Sequence, residues 1–272
     1  MQLDSLLRSV KDHCVGIDSI WVMMKSSSAL HFEANNRVCV QHQTVKGHPS
    51  ITLLEQEDEL GGLGWHMGWA LKEAERGHIA FAVDDMTFYR PSDFARAAIV
   101  LGAVPGFVWS WRHGADRLHS VRAGSDFWRG PAGYAWHVDG SLYRGSDYLR
   151  TLDRFYPKWR EARTPNDLES TVAMRADEWA HGLTHLGPLE PTCMTWQINQ
   201  AHATPGVRRA PFASVPETQL DALAQAYLAG KRVYNEKLYA DTSWTTRFQK
   251  QPGKTHVEAS EESAAFYASL IR

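Results

Sequence analysis

His78-Ile79-Ala80-Phe81-Ala82-Val83-Asp84-Asp85 is a short apolar run that stops abruptly on two carboxylates, with Gly77 bounding its other side. Too short for a helix and without polar alternation, it reads as a fully buried strand. Working back, Gly61 to Arg76 reads as a helix with Leu63, Met67, Ala70 and Ala74 on one stripe. Earlier still, Leu3, Leu6, Leu7 and Val10 recur at helical spacing, and Ile17–Met24, Arg37–Gln43 and Ile51–Gln56 are β-rich runs. Strand and helix alternate, the pattern of an α/β sandwich around a mainly parallel sheet.

Working forward, Pro91–Leu101 and Ser146–Phe155 read as helices, Gly106–Trp111 as a strand, and Asp126–Gly140 as loop plus strand. Thr164-Pro165-Asn166-Asp167 sets a capping oxygen, a first-turn proline and an acidic third residue in order, which predicts a helix start. Cys193–Gln200 reads as a strand. Ser214-Val215-Pro216-Glu217 is a second capping box ahead of a helix over Thr218–Ala229 that stops at Gly230. No repeat or linker interrupts the chain, so one domain is expected over residues 1–272, with about 240–272 as a more polar C-terminal extension.

The 272 residues are 43% hydrophobic and 22% charged, a balance that suits a packed core and excludes a disordered chain. Lys plus Arg total 29 against 31 Asp plus Glu, which argues against binding nucleic acid through a large positive field. The 11 Trp and 13 His favour a site that stacks on flat or sugar-like ligands. Cys14, Cys39 and Cys193 form neither a CxxC pair nor a disulfide framework, which fits a reducing cytoplasm. The opening MQLDSLLRSVKDHC is charged where a signal peptide is apolar, and the run Ala97–Trp109 is broken by Gly102, Pro105 and Gly106. A cytoplasmic protein with no membrane span is the expectation.

Asp84 and Asp85 are the sharpest chemical feature. In open α/β sheets ligands gather beyond the carboxyl ends of the strands. Adjacent carboxylates there repel each other unless donors or a cation compensate them, and Mg²⁺-like ions commonly bind one or two carboxylates plus substrate phosphates. The plainer reading is that one of them caps the next turn. A second cluster is Trp136-His137-Val138-Asp139-Gly140-Ser141-Leu142-Tyr143-Arg144. Asp139 beside Gly140 suits a general base or a hydroxyl anchor that a ligand can approach closely, and equally a turn aspartate bonded to nearby amides. Ser110-Trp111-Arg112-His113-Gly114 sets an arginine among aromatics, and Asn166 and Glu169 stand one turn apart on a helix. His66, His181 and His185 have no metal spacing, although His181 and His185 stand i, i+4 if that segment is helical. GxSxG, HExxH, P-loop and GxGxxG signatures are absent from the sequence.

In order along the chain, AFAVDDMTFYRP (80–91), SWRHG (110–114), HVDGSLYR (137–144) and PNDLE (165–169) resemble the pattern of glycosyltransferase-A-type (GT-A) sugar transferases. Trp196–Gln200 and Ala229-Gly230-Lys231-Arg232 are similar to that group as well, and the resemblance covers roughly residues 15–240. It implies a GT-A-like three-layer sandwich around a mainly parallel mixed sheet, and a nucleotide-sugar donor, a UDP-sugar first, bound through its diphosphate to Mn²⁺ or Mg²⁺. Asp85 is then the principal metal ligand and Asp84 binds metal or ribose. Arg112 adds positive charge near donor or acceptor. Asp139 deprotonates the acceptor hydroxyl or holds a sugar hydroxyl, with Glu169 as the alternative base. Trp111, Gly140, Arg144 and Asn166 complete the expected donor and acceptor contacts, and His202 is the guess for a late metal ligand. The chain departs from the pattern at its start, where a helix is read instead of the strand that cradles the nucleotide base.

Three functions follow from the resemblance. The first is a metal-dependent transferase acting on a carbohydrate or small acceptor. The second is a phage-type DNA glycosyltransferase acting on 5-hydroxymethyl pyrimidines, with Trp109, Trp111, Trp128 and Trp136 holding an extruded base and Arg112, Arg117, Arg122, Arg129, Arg208 and Arg209 gathered on the acceptor side. The third is a non-catalytic sugar or nucleotide binder of the same fold.

Overall fold

The computed structural model describes residues 2–26, 28–43, 49–56, 62–104, 107–112, 121–131, 136, 138–175, 184–196, 217–229 and 256–257. The chain opens with helix α1 (Gln2–His13), strands β1 (Cys14–Val15) and β2 (Ser19–Met24), helix α2 (Ala29–Gln43), strand β3 (Ser50–Glu55) and helix α3 (Gly62–Ala74). Strands β4 (His78–Phe81), β5 (Met86–Phe88) and β6 (Ser92–Asp93) follow, then helix α4 (Phe94–Ala103). Next come β7 (Val108–Ser110), β8 (Val121–Arg122), β9 (Phe127–Pro131) and β10 (Ser141–Arg144). Helix α5 (Gly145–Phe155), a 3-10 turn (Trp159–Glu161) and helix α6 (Pro165–Ala173) precede β11 (Thr184–Pro188) and β12 (Cys193–Trp196). Helix α7 (Glu217–Leu228) and strand β13 (His256–Val257) are the last described elements.

The largest sheet has six strands in the order β4-β10-β7-β11-β9-β8. Four of them (β4, β7, β11 and β8) point one way and β10 and β9 point the other. It is therefore a mixed sheet with a majority direction, as expected, although only β7 and β11 are parallel neighbours within it. Strand alternation then sorts the side chains to two faces. Trp109, Leu142 and Leu186 join Leu6 and Val10 of α1 and Phe94, Ala97, Val100 and Leu101 of α4. Val108 and Tyr143 join Leu63, Met67 and Leu71 of α3, Leu152 of α5 and Leu168 and Val172 of α6. Helices thus cover both faces of the sheet, an α/β sandwich. A third cluster packs α2 and α7 with β3 and Leu7 of α1. Small strands complete the fold: β5 pairs with β12, β12 with β13, β2 with β3 and β1 with β6.

Three sequence expectations are corrected. Arg37–Gln43 belongs to α2 and is helical, because Ala34, Val38 and Cys39 bury one helical face in the third cluster and His42 is buried on the same helix. The strand read as fully buried is the outermost strand of its sheet among the described residues, and its exposure alternates along His78–Phe81. His185 lies on β11, not on a helix. The capping box at Thr164 forms as read: its hydroxyl accepts from the Asp167 amide at 3.2 Å, and Asp167 Oδ2 accepts from the Thr164 amide at 2.9 Å. The Ser214 box lies outside the described residues, as does the 240–272 extension except for β13, which pairs in parallel with β12.

Candidate functional site

Topology brings the chemically distinctive residues to one end of the sheet. Because β4 and β7 share a direction, the segments that leave their carboxyl ends, Ala82–Asp85 and Trp111–Arg112, lie on the same side. Strand β10 runs the other way, so the Val138–Gly140 bend that precedes it arrives there too. The Trp111 amide donates to the Gly140 carbonyl at 2.9 Å, which extends the β7–β10 ladder past its last strand pair. Thr192, just before β12, donates its amide to the Trp111 carbonyl at 2.9 Å. This end of the sheet is where open α/β folds place ligands.

The two aspartates sit in a tight turn closed by the Met86 amide, which donates to the Val83 carbonyl at 3.0 Å. Asp85 is 5% exposed, and its Oδ1 is buried without a hydrogen-bond partner. Burial, with Asp84's charge added, pushes its carboxyl up to about 7, and Arg112's charge only partly offsets this. Asp84 is exposed at the surface, and the surrounding protein desolvates its carboxyl enough to raise it above the ordinary range. Backbone amides of the turn donate to both carboxylates and offset part of this rise.

Among the described residues Arg112 is the cation of this cluster. It forms an ion pair with Asp139 Oδ2, both side chains being largely buried. Its charge also acts on Asp85, Glu169 and Cys193. Glu169 reaches from α6 to the bend: the Val138 amide donates to its Oε1 at 2.6 Å across 31 residues of sequence. Burial raises the Glu169 carboxyl, while the Val138 amide and Arg112 pull it down. Gly140 has φ of 59°, the left-handed region that glycine adopts without strain. A Cβ there would stand 2.9 Å from Arg112 Cγ, 2.9 Å from Cys193 Sγ and 3.0 Å from Met86 Cε. Gly140 therefore lets the Arg112 stem pass close to the backbone.

Asp84, Asp85, Arg112, Asp139, Gly140 and Glu169 are thus brought together, whereas other expected site residues are not. Trp111 contributes its backbone, but its ring is buried in the core against Phe94 and Trp109. Trp109, Trp128 and Trp136 are also core residues, at most 4% exposed, so none of the four tryptophans offers a face to an extruded base. Arg144 pairs in register with His78 at the opposite end of β4 and β10 and bonds Asp147 at 3.2 Å. Three residues of strand, about 10 Å, separate it from the Ser141 end. Asn166 lies in the first turn of α6, its side chain outside the described set. His66 is buried on α3, with Nδ1 2.8 Å from the Gly62 carbonyl. Arg122 and Arg129 are exposed on β8 and β9, and Arg122 bonds the Gly124 and Ser125 carbonyls. His113, Gly114, Arg117, His137, His181, His202, Arg208 and Arg209 lie outside the described residues. Cys193 escaped the sequence reading: its Sγ lies against Gly140 from more than fifty residues away, and burial pushes its thiol up to about 12.

Among the described residues, no group of three or more His, Cys, Asp or Glu side chains is arranged to hold a metal ion. Two carboxylates suffice for a Mg²⁺-class ion when substrate phosphates fill the remaining positions. The buried, donorless Oδ1 of Asp85, with the Asp84 carboxylate next to it in sequence, fits such an ion. Among the described residues no helix is long and apolar enough to cross a membrane. No protein-family model matches the chain, and no curated protein is significantly similar to it.

Proposed function

We propose that the chain is a GT-A-like, metal-dependent glycosyltransferase that moves a sugar from a nucleotide-sugar donor, a UDP-sugar first, to an acceptor hydroxyl. The observation that carries this reading is the Asp84–Asp85 pair beyond β4, with Asp85 buried and one of its oxygens lacking a donor. Asp85, with Asp84, would hold Mn²⁺ or Mg²⁺ together with the donor diphosphate. When bound, such a cation offsets the negative charge that builds on the departing diphosphate. Arg112 fixes and orients the Asp139 carboxylate through their ion pair, and Asp139 then holds a sugar hydroxyl or takes the acceptor's proton. The burial of all four tryptophans favours a carbohydrate acceptor over a base flipped out of DNA.

The experiment is mass spectrometry of products after incubation with UDP-, GDP- and dTDP-sugars and mixed acceptors, hydroxymethylated DNA included, with Mn²⁺ or with EDTA. The expected result is a one-sugar mass gain on a carbohydrate acceptor that EDTA abolishes. Transfer that persists in EDTA contradicts the metal reading. Donor binding with neither transfer nor donor hydrolysis leaves a non-catalytic binder, and transfer to DNA alone reverses the acceptor assignment. Asp139→Asn is expected to lower turnover more than donor affinity.

A further inference from the structure

We propose that Glu169 is a positioning residue, whose carboxylate oxygen braces the Val138–Gly140 bend and so sets Asp139 against Arg112. The inference rests on the transferase reading only for its kinetic consequence. Its structural content stands on the bend itself.

Two backbone amide hydrogen bonds tie the bend to neighbouring elements. On one side the Gly140 carbonyl accepts from the Trp111 amide at 2.9 Å, which ties the bend to β7. On the other side the Val138 amide donates to Glu169 Oε1 at 2.6 Å, which ties it to α6. Asp139 lies between these anchors and completes the ion pair with Arg112. Val138 is buried, so its amide, deprived of Glu169, would lose its partner where water does not readily replace it. Helix α6 is itself fixed at its start by the Thr164–Asp167 capping box and along its length by Leu168 and Val172 in the core. Glu169 therefore projects from a rigid element onto a bend that otherwise has no regular structure.

The same geometry disfavours Glu169 as the base. Its Oε1, the oxygen that faces the bend, is already committed as acceptor of a short hydrogen bond from a backbone amide. The cation that Glu169 feels is Arg112, whose charge acts on Asp85 as well. What the site needs from Glu169 is an acceptor atom at a fixed reach, with no proton transfer.

Reach and charge can be separated. Glu169→Gln keeps the reach and an acceptor oxygen without the charge; Glu169→Asp keeps the charge but is one methylene short; Glu169→Ala removes both. Hydrogen–deuterium exchange of the Val138 amide is read in all three, and kcat and KM wherever turnover is found. The expected order is Gln nearest to wild type in Val138 protection, with Asp and Ala each losing about tenfold or more, the loss of the whole hydrogen bond where Gln loses only its charge assistance. In turnover, Gln is expected to recover most of what Ala loses in kcat, with donor KM little changed and the pH profile of wild type. Val138 protection unchanged in Glu169→Ala overturns the brace. Better recovery by Asp than by Gln, or a pH limb lost in Gln, overturns positioning in favour of proton transfer. Should no donor be turned over, the transferase reading fails while exchange still decides the brace.

Discussion

Asp85 gives up its water on folding and recovers no donor for Oδ1, which is an arrangement that favours the neutral acid. The sign of its effect on stability follows. A carboxyl that titrates near 3.9 in the unfolded chain and near 7 in the fold binds its proton more tightly when folded. Its contribution is therefore most favourable below about pH 4, declines as pH rises toward 7, and by then has removed on the order of 3 kcal/mol. Asp85→Asn is expected to flatten that decline and to raise Tm by several degrees at pH 8 in EDTA, as thermal melts across pH would record, while abolishing Mn²⁺ binding. Gly140→Ala has both a left-handed backbone and contacts with Arg112, Cys193 and Met86 against it. A loss of about 1–3 kcal/mol is expected in urea unfolding. At this scale the aspartate pair was legible because its two members are adjacent in sequence and end an apolar run. The Cys193 contact with Gly140 was not, since nothing local marks a pairing that only strand order creates. Trp111 was misjudged because a tryptophan among charges looks alike whether its ring stacks on a ligand or fills a core.

At the scale of elements, α6 is the clearest success of local chemistry. Thr-Pro-Asn-Asp specifies a helix start through its own side chains, and tertiary context has nothing to override. Thr164→Ala is expected to cost about 1 kcal/mol in thermal or urea unfolding. Arg37–Gln43 shows the opposite case: Val38-Cys39-Val40 has strand-like residues, but Ala34, Val38 and His42 recur at helical spacing and bury together. Helix α3 crosses the 3-10 turn so closely that a Cβ on Gly64 would collide with the Trp159 carbonyl. Gly64→Ala is therefore expected to destabilise by roughly 1–3 kcal/mol despite its better helix propensity, a sign that propensity alone gets wrong. The resemblance of HVDGSLYR brings Arg144 to the expected site; a strand of four residues carries it to the other end of the sheet.

For the whole molecule, alternating helices and strands made the sandwich legible. The order β4-β10-β7-β11 was not, because it is set by long-range pairings that no short segment encodes. The same holds for the polar link that ties α1, α2 and α7 together. Asp4 Oδ1 lies 2.7 Å from His42 Nε2, and its Oδ2 accepts from the Tyr227 hydroxyl at 2.8 Å. Burial alone would raise the Asp4 carboxyl, but these hydrogen bonds and the His42 charge outweigh it and hold it below the usual range. A depressed carboxyl stabilises the fold above its unfolded value near pH 4, and that stability is lost as pH falls further. Asp4→Asn is expected to weaken this acid limb in melts between pH 2 and 5. Taken together, these two carboxyls favour the metal-free fold most near pH 4, the Asp4 contribution falling away below that pH and the Asp85 contribution above it. The central claim is that a divalent cation joins Asp85 to a donor diphosphate. Calorimetric titration of UDP into the wild type and Asp85→Asn, with and without Mn²⁺, tests it most directly. We expect UDP to bind the wild type at least about tenfold more tightly when Mn²⁺ is present, a coupling of roughly 1.4 kcal/mol, and Asp85→Asn to lose that gain. Equal UDP affinity in the presence and absence of Mn²⁺ would contradict the account.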